Sequence, residues 1–97
     1  MANVYYSPED FGLTVVDELS KDPDYDFDML VVWRHEDGTL YWAHDSGCSC
    51  PTPFEDYNRL SDLYVLKDTL REFRQAMDYM YGVSEEDKIK FLQKFGA

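Results

Sequence analysis

The stretch Tyr25-Asp26-Phe27-Asp28-Met29-Leu30-Val31-Val32-Trp33-Arg34-His35-Glu36-Asp37-Gly38-Thr39-Leu40-Tyr41-Trp42-Ala43 decides the fold. From Tyr25 the residues alternate, with Tyr25, Phe27, Met29, Val31 and Trp33 on one face and Asp26, Asp28, Leu30, Val32 and Arg34 on the other. Period two sustained over such a run is a strand with one fully apolar face. Asp37-Gly38 between two β-prone runs is a strong hairpin signal. A two-residue loop there pairs Glu36 with Thr39, His35 with Leu40, Trp33 with Trp42 and Val31 with His44. That register places both tryptophans on one face with Tyr25, Phe27 and Met29, where an aromatic cross-strand pair adds up to about 1 kcal/mol.

Upstream, Phe11 to Leu19 is β-rich and is followed by Ser20-Lys21-Asp22-Pro23-Asp24, a turn built on Asp-Pro. The expectation is a three-stranded antiparallel meander over residues 11–19, 25–36 and 39–45. Downstream, residues 45–60 read as an irregular connection carrying Gly47, Pro51 and Pro53. Leu66, Leu70, Phe73, Met77 and Met80 then recur at helical spacing, predicting a helix over 67–81 closed by Gly82. Ser84-Glu85-Glu86-Asp87 resembles a capping box opening a second helix over 85–95, with Ile89, Leu92 and Phe95 facing inward. Two helices over one face of an antiparallel sheet make an α+β fold. Residues 1–97 read as a single domain, since neither the β part nor the helical part is large enough to bury a core alone.

Composition agrees with a folded chain: 44% of the 97 residues are apolar and 16% aromatic. The longest apolar run, Met29 to Trp33, is too short to cross a bilayer, and the opening residues predict no signal peptide. The expected setting is therefore a reducing cytoplasm. With 20 acidic residues against 9 basic ones, the net charge is −11. Unaided binding to nucleic acid or anionic membrane needs basic surface and is excluded. Residues 1–60 carry 13 acids and 3 bases, whereas residues 61–97 carry 7 and 6, so the acidity belongs to the β part.

Asp22, Asp24, Asp26 and Asp28 alternate at strand period, and with Glu36 they make a candidate partner-binding face. Such a line of carboxylates would mimic nucleic-acid charge toward a basic protein and steer encounter. Its plainer role is a solvated face that discourages edge-to-edge aggregation. The second candidate is the loop His44-Asp45-Ser46-Gly47-Cys48-Ser49-Cys50-Pro51. His44, Cys48 and Cys50 are zinc-type ligands, with His35 or Asp56 as a fourth, although a one-residue cysteine gap is not a standard zinc spacing. The plainer role is a tight loop whose thiols tuck under the sheet. A cysteine nucleophile with His44 or His35 as base has the residue types but no oxyanion hole, and no phosphate loop or dinucleotide fingerprint is present.

Gly47-Cys48-Ser49-Cys50-Pro51-Thr52-Pro53-Phe54-Glu55-Asp56-Tyr57, preceded by Asp37-Gly38-Thr39-Leu40-Tyr41-Trp42-Ala43, resembles a group of small acidic proteins of actinobacteriophages, the mycobacteriophage type included. The opening Val4-Tyr5-Tyr6-Ser7-Pro8-Glu9 and Phe11-Gly12-Leu13-Thr14-Val15-Val16 is similar as well. The resemblance covers roughly residues 3–60 and lends no catalytic residues. It implies expression in a host bacterial cytoplasm and a non-virion accessory role. The expected function is thus a non-enzymatic accessory protein that binds a host or defence protein through its acidic face. The alternatives are a zinc module using His44, Cys48 and Cys50, and a structural homodimer packing through Met77, Met80 and Tyr81.

Overall fold

The computed structural model describes residues 3–20, 26–48, 54, 56–80 and 82–95. Four antiparallel strands, β1 (Leu13–Ser20), β2 (Asp26–His35), β3 (Leu40–Cys48) and β4 (Tyr64–Val65), form one sheet in the order β1-β2-β3-β4. Helices α1 (Leu70–Asp78) and α2 (Glu85–Phe95) follow. Short 3₁₀ turns at Pro8–Phe11, Leu60–Asp62 and Leu66–Asp68 join these elements. The α+β class holds, but the sheet has four strands and not three. The added strand is only two residues long, pairing Val65 with Tyr41 and Tyr64 with Trp42, too short for any periodicity to show.

The hairpin departs from expectation by one residue. His35 N–H donates to Thr39 O at 2.8 Å and Gly38 N–H to His35 O at 2.9 Å, so the loop is Glu36-Asp37-Gly38. Gly38 has φ +90°, the left-handed residue that closes a three-residue loop. The register becomes Arg34↔Leu40, Trp33↔Tyr41, Val32↔Trp42, Val31↔Ala43 and Leu30↔His44. A one-residue slip inverts every side chain of one strand relative to the other. Trp33 and Trp42 therefore stand on opposite faces, and His44 shares a face with Leu30 rather than with Val31.

Both faces are covered, so the sheet is the middle layer of the molecule. On one side Leu19, Leu30, Val32 and Trp42 pack with Leu66, Phe73, Met77, Met80 and Phe91. On the other, Leu13, Met29, Val31, Trp33 and Ala43 pack with Val4, Phe54 and Leu63. The expected solvated strand face is thus the face under the helices, and Leu30 and Val32 are fully buried there. β1 serves both layers because its register shifts between Val15 and Asp17, leaving Val16 as a bulge residue. Leu13 then faces one core and Leu19 the other.

The first helix is shorter than residues 67–81, and Thr69 is the reason. Its hydroxyl donates to Val65 O at 2.6 Å and accepts Trp42 Nε1–H at 2.8 Å, with φ −134°. That anchoring separates the Leu66–Asp68 turn from α1, yet the whole stripe from Leu66 to Met80 still faces the core. Met77 and Met80, expected as a homodimer contact, are buried inside that core, and Tyr81 lies outside the described residues. α2 has the expected bounds but a rotated face: Lys88 and Phe91 are buried, while Ile89 is 53% exposed. Half of the expected cap forms, Asp87 N–H donating to Ser84 Oγ at 3.2 Å.

Candidate functional site

The sites expected from sequence fall in three places. Asp22, Asp24 and Cys50 lie outside the described residues. Asp26 opens β2 opposite Cys48, which ends β3. Asp28 is not a surface acid: it is 6% exposed, on the helix-covered face one alternation beyond Leu30. Its carboxylate Oδ1 meets His44 Nε2, diagonally across the β2–β3 ladder. A carboxylate only accepts, so His44 Nε2–H is the donor. The His44 side chain keeps a quarter of its surface exposed. No sequence pattern announced this pair, because it depends on the hairpin register that puts positions 28 and 44 on one face.

His35 cannot join His44. It sits at the hairpin end of β2, five positions from the residue opposite His44, roughly 17 Å along the strand. There its Nδ1 lies 3.2 Å from Asp37 Oδ1. Asp56 is exposed and precedes Tyr57, whose hydroxyl donates to His44 O at 3.2 Å. Among the described residues no group of three or more His, Cys, Asp and Glu side chains could hold a metal ion.

Several acids of the β part are spent on internal ties. Asp17 Oδ2 accepts Lys94 Nζ at 2.9 Å, joining β1 to α2. Burial pulls its carboxyl upward, but the hydrogen bonds from Lys94 and Glu18 N–H together with the lysine charge leave it below the ordinary carboxylate value. Glu18 Oε2 accepts the Tyr5 hydroxyl at 2.9 Å. Burial first, and then that anionic partner, push the Tyr5 phenol up to about 12. Asp45 Oδ2 accepts Phe54 N–H at 2.7 Å and holds Phe54 at φ +60°, an unusual conformation for a bulky residue. The Phe54 ring is fully buried, edge-on to Trp33 and Tyr57 at centroid distances of 5.5 and 5.2 Å.

Four solvent-facing acids gather at the hairpin tip. Glu36 N–H donates to Gly12 O at 3.0 Å, which docks the Pro8–Phe11 turn against the loop. Gly12 has φ +71°, and a Cβ there would lie 3.1 Å from His35 Nε2 and 3.2 Å from Glu36 Cδ, so the approach depends on glycine. Exposed Glu9 and Asp10 thereby join exposed Glu36 and Asp37 at one corner. The Thr39 backbone and side chain, with His35, hold the Asp37 carboxyl below its ordinary value. Of these four acids, sequence reasoning found only Glu36; the others meet it through a backbone contact that leaves no signature.

A family model described as a domain of unknown function, DUF7574, matches residues 2–94. The chain belongs to this family. The match spans every element from the first 3₁₀ turn to α2, so the DUF7574 assignment covers both cores and the acidic corner alike. No curated protein and no solved structure matches the chain. Among the described residues no helix is long and apolar enough to cross a membrane.

Proposed function

We propose that this protein is a non-enzymatic accessory protein that binds a basic host or defence protein in an infected bacterium's cytoplasm. The binding surface in this reading is the acidic corner of Glu9, Asp10, Glu36 and Asp37; Asp26 stands at the far end of β2 from it, and Asp22 and Asp24 lie outside the described residues. The observation that carries it is the Gly12–Glu36 backbone contact, which concentrates four exposed carboxylates on one rigid edge of the fold. Concentrated like charge costs stability and is compensated when a cationic surface covers it. Asp28 drops out of the binding face because it is buried against His44. The test is capture of partners from host lysate at low and high salt, beside the Glu9→Gln/Asp10→Asn/Glu36→Gln variant. Retention of a specific partner that weakens steeply with salt and in the variant supports the reading; salt-independent capture overturns it.

A second reading, a zinc-binding loop using His44, Cys48 and Cys50, draws on the Asp28–His44 pair. A carboxylate on one imidazole nitrogen orients the other toward a metal, the usual arrangement behind a ligating histidine. Elemental analysis of protein purified without chelator decides it: a stoichiometric metal lost in His44→Ala supports the site, and none removes it.

A further inference from the structure

We infer that one carboxylate, that of Asp17, keeps the outer edge of β1 from pairing with the same edge of a second copy of this chain. β1 stands first in the strand order, so one side of its backbone has no neighbouring strand. His35 N–H donates to Thr39 O on the β3 side, and backbone groups along a central strand alternate between its two neighbours. Those of Trp33 and Val31 therefore also turn toward β3. Leu13, Val15 and Glu18, opposite His35, Trp33 and Val31, are left with their N–H and C=O groups pointing away from β2 to the open edge. A run of such groups is a template for another strand, and an identical edge supplies matching donors and acceptors.

Two features interrupt that template. The bulge at Val16 shifts the register between Val15 and Asp17 and bends the strand. Directly after it, the outward Glu18 N–H donates to Asp17 Oδ1 at 2.8 Å. Asp17 Oδ2 accepts Lys94 Nζ of α2 at 2.9 Å, so the carboxylate is held between the strand edge and the helix beside it. A strand approaching Glu18 meets a donor already taken and brings its own carbonyl oxygen toward a negative charge. The net charge of −11 also opposes self-association, but it acts over the whole surface. The two effects are separable: Asn and Val at position 17 remove the same charge, and only Asn keeps an oxygen for the Glu18 N–H.

The test is sedimentation equilibrium of the unaltered protein, Asp17→Asn and Asp17→Val, at high salt so that surface repulsion is screened. The unaltered protein and Asp17→Asn should stay monomeric, while Asp17→Val should approach twice the monomer mass as concentration rises. Adding Glu18→Pro to Asp17→Val deletes the freed N–H at a position that donates nothing to β2, and should restore the monomer. Amide exchange on the unaltered protein checks the cap without any variant: Glu18 should be better protected than Val15, whose outward N–H has no partner among the described residues. Four results would each overturn the inference: an unaltered protein already dimeric through β1, Asp17→Val no more associated than Asp17→Asn, association that survives Glu18→Pro, or a Glu18 amide protected no better than that of Val15.

Discussion

Trp33 and Trp42, on neighbouring strands, donate their indole N–H groups in opposite directions. Trp33 Nε1–H reaches Val4 O at 2.9 Å on one side of the sheet, and Trp42 Nε1–H reaches Thr69 Oγ1 at 2.8 Å on the other. Val4 N–H in turn donates to Tyr57 O at 3.0 Å, so Trp33 fastens both the N-terminal segment and the returning loop. Trp42 stacks on Tyr64 with centroids 4.9 Å apart and meets Phe73 edge-on at 5.4 Å, fastening the helical layer.

That division of labour depends on the loop having three residues. Deleting Glu36, so that Asp37-Gly38 closes a two-residue turn, should turn Leu40, Trp42 and His44 to the wrong face. Each misplaced large apolar side chain forfeits about 1.5–3 kcal/mol, enough together to unfold a small domain. Circular dichroism and proton NMR dispersion should show a largely unfolded chain at 25 °C. A well-dispersed spectrum and an unchanged melting temperature would overturn the register argument.

The Asp28–His44 pair predicts an asymmetric mutational response. His44→Ala leaves a carboxylate 6% exposed without its partner, and should cost about 2–3 kcal/mol, reduced from the fully buried case by the exposure of the imidazole. Asp28→Leu with His44→Leu replaces both groups and should recover most of that loss. Urea denaturation of the single and double variants measures it; a double variant no better than His44→Ala alone excludes the coupling.

Tyr5 sets a stability loss at alkaline pH. Its phenol moves from an ordinary 10.0 up to about 12 because burial and Glu18 disfavour the phenolate. A raised folded-state value means stability fully present below pH 10.0 and lost as pH rises toward about 12. Melting temperature should therefore fall across that interval, and Tyr5→Phe should flatten the fall. An identical slope in Tyr5→Phe would show that other groups govern it.

Asp45 is expected to matter more than an acid near a loop usually does. Removing its carboxylate in Asp45→Ala deprives Phe54 N–H of its acceptor and loosens a residue held at positive φ. The cost should be about 1–3 kcal/mol, comparable to a charge-assisted hydrogen bond. Asp45→Asn, which keeps an acceptor oxygen, should lose less. Amide exchange at Phe54 alongside thermal melts distinguishes local loosening from global unfolding; equal melts for all three proteins would exclude the clamp.

Strands β2 and β3, the bounds of α2 and the apolar stripe from Leu66 to Met80 were legible in the residues, because burial imposes its period on sequence. The rotation of α2 was not: Lys88 lies in the interface with its amine 3.7 Å from Glu85, leaving Ile89 outside, a choice made by neighbouring elements rather than by hydropathy. Glu36 was found as a surface acid, whereas Asp28 was misplaced for a related reason. Alternation assigns residues to two faces but does not say that both faces will be covered.

The sequence by itself determined the α+β class, the hairpin, the helical stripe and the concentration of acid in the first 60 residues. Each of those is a local pattern, set by neighbours a few positions apart. Only the tertiary structure decided the loop length at Gly38, and with it which tryptophan serves which layer, that Asp28 meets His44, and that Glu9 and Asp10 join Glu36 and Asp37. The first two share one physical reason, while Glu9 and Asp10 reach the tip through the Gly12–Glu36 backbone contact. A hairpin loop of two or three residues satisfies the same local signals, and the choice between them falls to which register buries Leu40 and Trp42 under the helices and Trp33 under Val4 and Phe54.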